Sequence, residues 1–361
     1  MNQRQRTFWT AAIAAAVTVL AGCGSDGEGD GAGRAGAPAG NAIPVVATTP
    51  EIADLTRNIG GPDVAVTQII KPNVDPHDYE PTPADIQAIA TARIVVKNGV
   101  GLEEWFDRTI EAAGFTGTVV DASKGVTLRE GGHAEEPGHE EPGHEEPGHG
   151  EPGHEEGGAA EGGAAKGGAA KGGAGEEHEG EEHDPHIWHD PRNVRIMVGT
   201  IEKALAAADP ARAATFGKNL AAYAAEVDRL DRENAAAFAR IPAAQRKLVT
   251  NHDAFGYYVQ RYQLQFVGSV IPSLDTSAEL SAQQLRDLVA KIRATGTRAI
   301  FTESSLPPKA AEAIAQQAGV KVVGGDDALF GDSLGAPGTP EGTYLGAERH
   351  NTRVIVSALG G

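Results

Sequence analysis

Short runs of β-branched residues alternate along this chain with longer stretches in which an apolar side chain returns every third or fourth position. "IPVVATT", "VAVTQII", "RIVVKNG" and "GTVVDA" read as buried strands; "PEIADLTRNIG", "PADIQAIATA" and "LEEWFDRTIEAAG", lying between them, carry the helical period. Pro50 opens the first of these helices and Gly60 closes it. The alternation returns after residue 242. Strand "KLVTNH" leads to helix "DAFGYYVQRY", then strand "LQFVGSVI" and helix "SAQQLRDLVAKIRATG" with Ser281 as its cap. Strand "RAIFTE", helix "PPKAAEAIAQQAG" and strand "VKVVG" complete the series, and the C-terminus reads as a final helix or strand. Strands separated by helices predict parallel sheets.

Between the two series, Phe216, Leu220, Tyr223, Val227, Leu230, Asn234 and Phe238 recur at helical spacing after the capping pair Asp209-Pro210. A helix over 210–241 would span roughly 46 Å at about 1.5 Å per residue. That is long for a globular helix, and its position suits one lying across two lobes. The expected fold class is therefore α/β: two lobes, each with a mainly parallel sheet flanked by helices, joined by one long rigid linking helix.

The pattern fails between about Glu130 and Glu182, where Gly, Glu, His, Ala and Pro replace almost every large apolar side chain. Such a segment buries too little surface to offset its ordering entropy, so a disordered insertion is expected. The start of the chain differs again. Arg4 and Arg6 precede an apolar stretch, Phe8 to Leu20, too short for a membrane span. "LAGC" then ends in the only cysteine, Cys23, and resembles the lipobox at which bacterial lipoproteins are lipidated. The expected organisation is a lipoprotein signal peptide (1–22), a flexible tether (23–42), an N-terminal lobe (43–209) with the insertion at 130–183, the linking helix (210–241) and a C-terminal lobe (242–361). An exported protein, lipid-anchored to the outer face of the cytoplasmic membrane, follows from that reading.

The formal charge of −19 is unevenly spread. Residues 130–184 hold 17 acidic residues against two lysines, which accounts for most of it. The folded remainder is only mildly acidic, and nucleic acid is excluded as a partner.

Candidate chemistry lies in histidines at element ends. His77 stands in "KPNVDPHDYEPTP", where prolines fix the turns and hold an imidazole in one direction; an ordinary loop histidine is the alternative. His186 and His189 in "DPHIWHDP" would share one face of a helical turn, as metal-binding pairs do, or only one of them is a ligand. His252 follows the apolar strand "KLVT" directly, at the strand end where parallel sheets gather ligands, or else pairs with Asp253 at a helix start. Asp332 in "LFGDSLG" has the same topological setting after "VKVV".

Together these stretches resemble the substrate-binding lipoproteins of zinc and manganese ABC transporters. The resemblance rests on "DPHDYEPTP" (Asp75 to Pro83), "DPHIW" (Asp184 to Trp188), "HDAFGY" (His252 to Tyr257), the turn Gly331 to Gly335 and "IFTESSLPPKAAEAIAQQAGVKV", in that order over about residues 43 to 355. It implies a metal held between two lobes by His77, His186, His252 and Asp332, with His189 as neighbour or alternate ligand. It also implies a cognate ABC permease as partner, a monomer, and no enzymatic activity. Two departures stand out: "AELSA" (Ala278 to Ala282) replaces a common Glu-Pro-Ser unit, and Gly331 replaces a frequent threonine, which predicts a looser backbone at Asp332.

Three imidazoles and one carboxylate form a set suited to Zn²⁺, whereas manganese prefers more oxygen. In the family that is resembled, manganese members carry an acidic residue where this chain has His252, so Zn²⁺ is the expected ion. Four protein ligands leave no position for an activated water, which sets a zinc hydrolase aside. A surface metal-storage or adhesin protein is the remaining alternative. His133, His139, His144, His149, His154, His178 and His183 of the insertion are expected to bind metal weakly as accessories, since the Pro-Gly pairs prevent a helix that would align them.

Overall fold

The computed structural model describes residues 42–131 and 183–360. Residues 1–41, where a signal peptide, Cys23 and nearly all of a tether are expected, lie outside the described residues, as do His133, His139, His144, His149, His154 and His178. Everything described falls in one compact unit.

Four strands form the first sheet: β1 (Ile43–Ala47), β2 (Val64–Gln68), β3 (Ile94–Lys97) and β4 (Thr118–Asp121). Their order is β2-β1-β3-β4, and every pairing is parallel, with Val45 opposite both Val66 and Ile94. Helices α1 (Pro50–Gly60) and α2 (Pro83–Thr91) cross between strands. The Thr49 side chain accepts from the Ile52 amide, and Thr82 with Asp85 makes a reciprocal capping box, so both helices start where donors are satisfied.

Helix α3 (Phe106–Ala112) begins later than the apolar period suggests. The Glu103 carboxylate folds back and accepts from Thr48 Oγ1 and the Asn98 amide, each at 2.7 Å, and from the Gly99 amide at 3.1 Å. Those bonds hold residues 98–103 in a turn. Helix α4 (Pro191–Ala208) is an element that the hydrophobic pattern above does not name, although Val194, Met197, Val198, Ile201 and Leu205 are all buried at helical spacing.

The long helix α5 runs from Ala213 to Ala239, 27 residues, preceded by a 3-10 turn at Pro210–Arg212. At about 1.5 Å per residue it spans roughly 40 Å. Phe216, Tyr223, Val227 and Leu230 pack into the core beside α1 and α4, while Phe238 packs into a second core with Tyr258, Tyr262 and Val354. One apolar stripe thereby enters two cores, which ties the lobes to a shared rigid element.

In the second half, β5 (Lys247–Thr250) pairs in parallel with β6 (Gln265–Ser269), and β7 (Ala299–Phe301) with β8 (Lys321–Val323). These are two ladders rather than one continuous sheet. Helices α6 (Gly256–Tyr262), α7 (Ala282–Thr295) and α8 (Lys309–Ala318) flank them; Ser281 caps α7 as its sequence predicts. The chain closes on helix α9 (Tyr344–Leu359), which resolves the helix-or-strand alternative for the C-terminus. Among the described residues, no helix is long and apolar enough to cross a membrane.

Candidate metal centre

Carboxyl ends of strands supply the site. His77 sits in the loop after β2, His252 two residues beyond β5, and Asp332 in the turn beyond β8. His186 arrives on the segment that re-enters the fold before α4. One ligand-type atom from each of His77, His186, His252 and Asp332 lies within 4.8 Å of all the others. His186, His252 and Asp332 are buried, and His77 retains only 9% of its side-chain exposure.

The Nε2 atoms of His77 and His186 are 3.3 Å apart. Asp332 approaches His186 Nε2 at 3.3 Å, His77 Nε2 at 3.5 Å and His252 Nε2 at 2.9 Å. Yet His252 Nε2 and both Asp332 oxygens meet no partner in hydrogen-bonding geometry. Buried polar atoms usually have such a partner. Three buried ligand-type atoms left without a partner, beside the paired His77 and His186 nitrogens, are what a cation among them would satisfy.

A second layer fixes which nitrogen of each ring faces inward. Asp184 Oδ1 takes His186 Nδ1 at 2.7 Å and the His186 amide at 3.0 Å. Glu303 Oε1 takes His252 Nδ1 and the His252 amide, each at 3.0 Å. Carboxylates on Nδ1 turn Nε2 toward the centre and raise its basicity as a ligand. Gly331 is explained here too. A Cβ on it would lie 2.0 Å from Glu303 Oε2, so the missing side chain makes room for the carboxylate that holds His252. The backbone beside Asp332 is buried, and the Gly331 carbonyl accepts from Trp188 Nε1 at 3.2 Å. It is anchored rather than loose, contrary to the expectation from the glycine.

The electrostatics follow. Burial would raise the Asp332 carboxyl, but His252 and His186 beside it hold it well below the usual carboxylate range. Burial disfavours charge on His186, and Asp332 with Asp184 overcomes this, lifting it to about 9. The same opposition, with Asp332 and Glu303 prevailing, lifts His252 well above its ordinary value.

His189 is not part of the cluster. The turn Ile187–His189 is a 3-10 turn, in which His189 Nδ1 donates to Glu348 Oε1 at 2.8 Å, with Phe255 stacked on its ring. His183 lies outside the cluster as well. It forms an antiparallel bridge with Glu130 and lines a cavity of about 340 Å³ together with His77, Glu104 and Asp275. Asp184 and Glu303 were not singled out as site residues from sequence. Their signals were an aspartate two positions before a candidate ligand and an acid at the end of a strand. Glu51, buried near Asp332 in the first turn of α1, carried no readable signal.

Residues 45–358 match the family model described as zinc-uptake complex component A periplasmic, ZnuA. The chain is 30% identical to the manganese-binding lipoprotein MntA of Bacillus subtilis, over 97% of this chain and 98% of that protein. It is 30% identical to the zinc-binding protein TroA of Treponema pallidum, over 87% of this chain and 88% of that one. The solved structure of periplasmic zinc binding protein TroA superposes with a TM-score of 0.70 at 28% identity, covering 88% of this chain and all of that one. A two-lobed α/β frame, a buried histidine–aspartate cluster and these matches lead to one conclusion: the chain belongs to the ZnuA family, the metal-binding substrate-binding proteins of ABC transporters.

Proposed function

We propose that this protein captures Zn²⁺ outside the cytoplasm in the cleft bounded by His77, His186, His252 and Asp332, and delivers it to a cognate permease. The observation that carries the reading is the spacing of the donors. Bonds of about 2.0 Å in a tetrahedron place ligands about 3.3 Å apart. The 3.3 Å between the Nε2 atoms of His77 and His186, and the 3.5 and 2.9 Å from Asp332 Oδ2 to His77 and His252 Nε2, bracket that value. Three nitrogens and one oxygen favour zinc over manganese, which takes more oxygen ligands. The relatives do not decide this, since they are named for manganese in one case and zinc in another.

Four protein donors leave no coordination position for a reacting water, which supports carriage rather than hydrolysis. Ligands drawn from both halves of the chain mean that the ion pulls the two halves into register; its loss frees the loops carrying His77 and Asp332, while α5 limits the motion to small tilts. The lipid anchor at Cys23 and the accessory role of the histidine-rich insertion belong to the same proposal.

The reading is tested by loading the protein, freed of residues 132–182, with zinc against a large excess of Mn²⁺. Glu130 and His183 already pair across the two ends of that segment, so a short turn can close the gap. X-ray absorption of the bound zinc should give four light ligands, mostly imidazole, near 2.0 Å. Displacement of zinc by manganese, or a shell rich in oxygen, would refute the metal assignment.

A further inference from the structure

Asp184 is completely buried, and its two carboxylate oxygens face opposite ways. Oδ1 holds His186. Oδ2 receives Arg129 Nη1 at 2.8 Å, and Arg129 keeps 34% of its side-chain exposure. Arg129 is also tied to Asp184 through the backbone, next to the Glu130–His183 bridge: the Asp184 amide donates to the Arg129 carbonyl at 3.0 Å. A third element completes the arrangement. Tyr257 on α6, the helix that follows His252, accepts from the Arg129 amide at 2.9 Å and donates to the Asp184 carbonyl at 3.2 Å. Its neighbour Gly256 leaves the room that the pair occupies, since a Cβ there would lie 2.0 Å from Arg129 Nη1 and 2.5 Å from Asp184 Oδ2. The guanidinium and carboxylate thus sit directly on the backbone of α6.

From this geometry we infer that Arg129 is a positioning residue for the metal site, acting through Asp184 on His186, with Gly256 and Tyr257 locking the pair from the segment that carries His252. The inference rests on the reading that His186 is a ligand. A buried carboxylate oxygen stripped of its only cation cannot stay as it is without cost. Asp184 would turn to find another donor, and His186 would lose the partner that fixes its ring. Residues in this outer position typically change metal affinity by about 10- to 100-fold. The dwell time of the ion is therefore set in part by a side chain that does not touch it.

The test uses the full chain with Zn²⁺ and Co²⁺ as probes. The slow phase of zinc release into excess chelator is timed, and the visible spectrum of the Co²⁺ form is recorded. Arg129→Ala should release zinc at least about tenfold faster and shift the Co²⁺ bands, Tyr257→Phe should lie between, and Arg129→Lys should recover much of the loss. Release within twofold of the unaltered chain, with an unchanged Co²⁺ spectrum, would overturn the inference even if the melting temperature fell, since bracing alone would explain that fall. If the unaltered chain itself shows no slow phase, the reading of the cluster as a metal site fails first, and this inference with it.

Discussion

Glu51 offers a quantitative test of the electrostatics around the site. It is buried at 1% exposure, and neither oxygen has a hydrogen-bond partner of good geometry. Burial pushes its carboxyl up to about 8; its own backbone amide and Thr49 oppose this, and Asp332 and Asp54 add to it. The group is therefore a neutral acid at pH 7 in the fold and ionised in the unfolded chain. A folded pKa above the unfolded one contributes stability that is fully present below the unfolded value, here 4.5, and is lost as pH rises through about 8. Each pH unit in that window costs about 1.4 kcal/mol, so at pH 7 the cost is roughly 3 kcal/mol. Glu51→Gln has nearly the same shape and never ionises. Urea denaturation of metal-free protein between pH 5 and 8.5 should show the variant gaining on the parent as pH rises, by roughly 3 kcal/mol at pH 7 relative to pH 5 or below. Parallel pH profiles for the two proteins would refute the assignment of a buried neutral acid.

Two further predictions concern the ligands. Glu303→Gln keeps the shape beside His252 but removes the charge on its Nδ1 side, and zinc affinity measured by chelator competition should fall by about 10- to 100-fold; an unchanged affinity would mean that Glu303 does not tune His252. His186, raised to about 9 chiefly by Asp332 against burial, stabilises the metal-free fold fully below its ordinary 6.5, and that contribution is lost as pH rises through about 9. Zinc must displace the proton, so affinity should climb with pH across this window, and calorimetry in buffers of different ionisation heat should detect proton release. A flat profile from pH 6.5 to 9 would contradict the coupling.

Much of this was legible in sequence, for physical reasons that differ by element. The period of Phe216, Tyr223, Val227, Leu230 and Phe238 announced α5, because all five side chains are in fact buried along one stripe. The central strands β1 and β3 were readable as β-branched runs because they are buried almost throughout, whereas the edge strands β2 and β4 leave Ala65, Thr67, Thr118 and Val119 exposed. Helix α4 has as regular a stripe, Val194, Met197, Val198, Ile201 and Leu205, directly after the histidine-bearing "HDPHIWHDP". Spacing alone left open whether His186 and His189 share a face; in the 3-10 turn Ile187–His189, flanked by His186, their Nδ1 atoms meet different carboxylates, Asp184 and Glu348. Gly331 was read as slack. It is instead the space taken by Glu303, a residue separated by 28 positions in sequence, and no local pattern reports such a contact. The same holds for Arg129, Asp184 and Tyr257, whose bonds arise only once three distant segments meet.

The central claim is that the cluster, and not the histidine-rich insertion, is the tight site. The most direct measurement is a competitive zinc titration of protein lacking residues 132–182, with and without His252→Ala. One tight ion per chain in the truncated protein, abolished by the alanine, is the predicted result. Loss of tight binding on removal of the insertion, or its survival in the His252→Ala variant, would contradict the account.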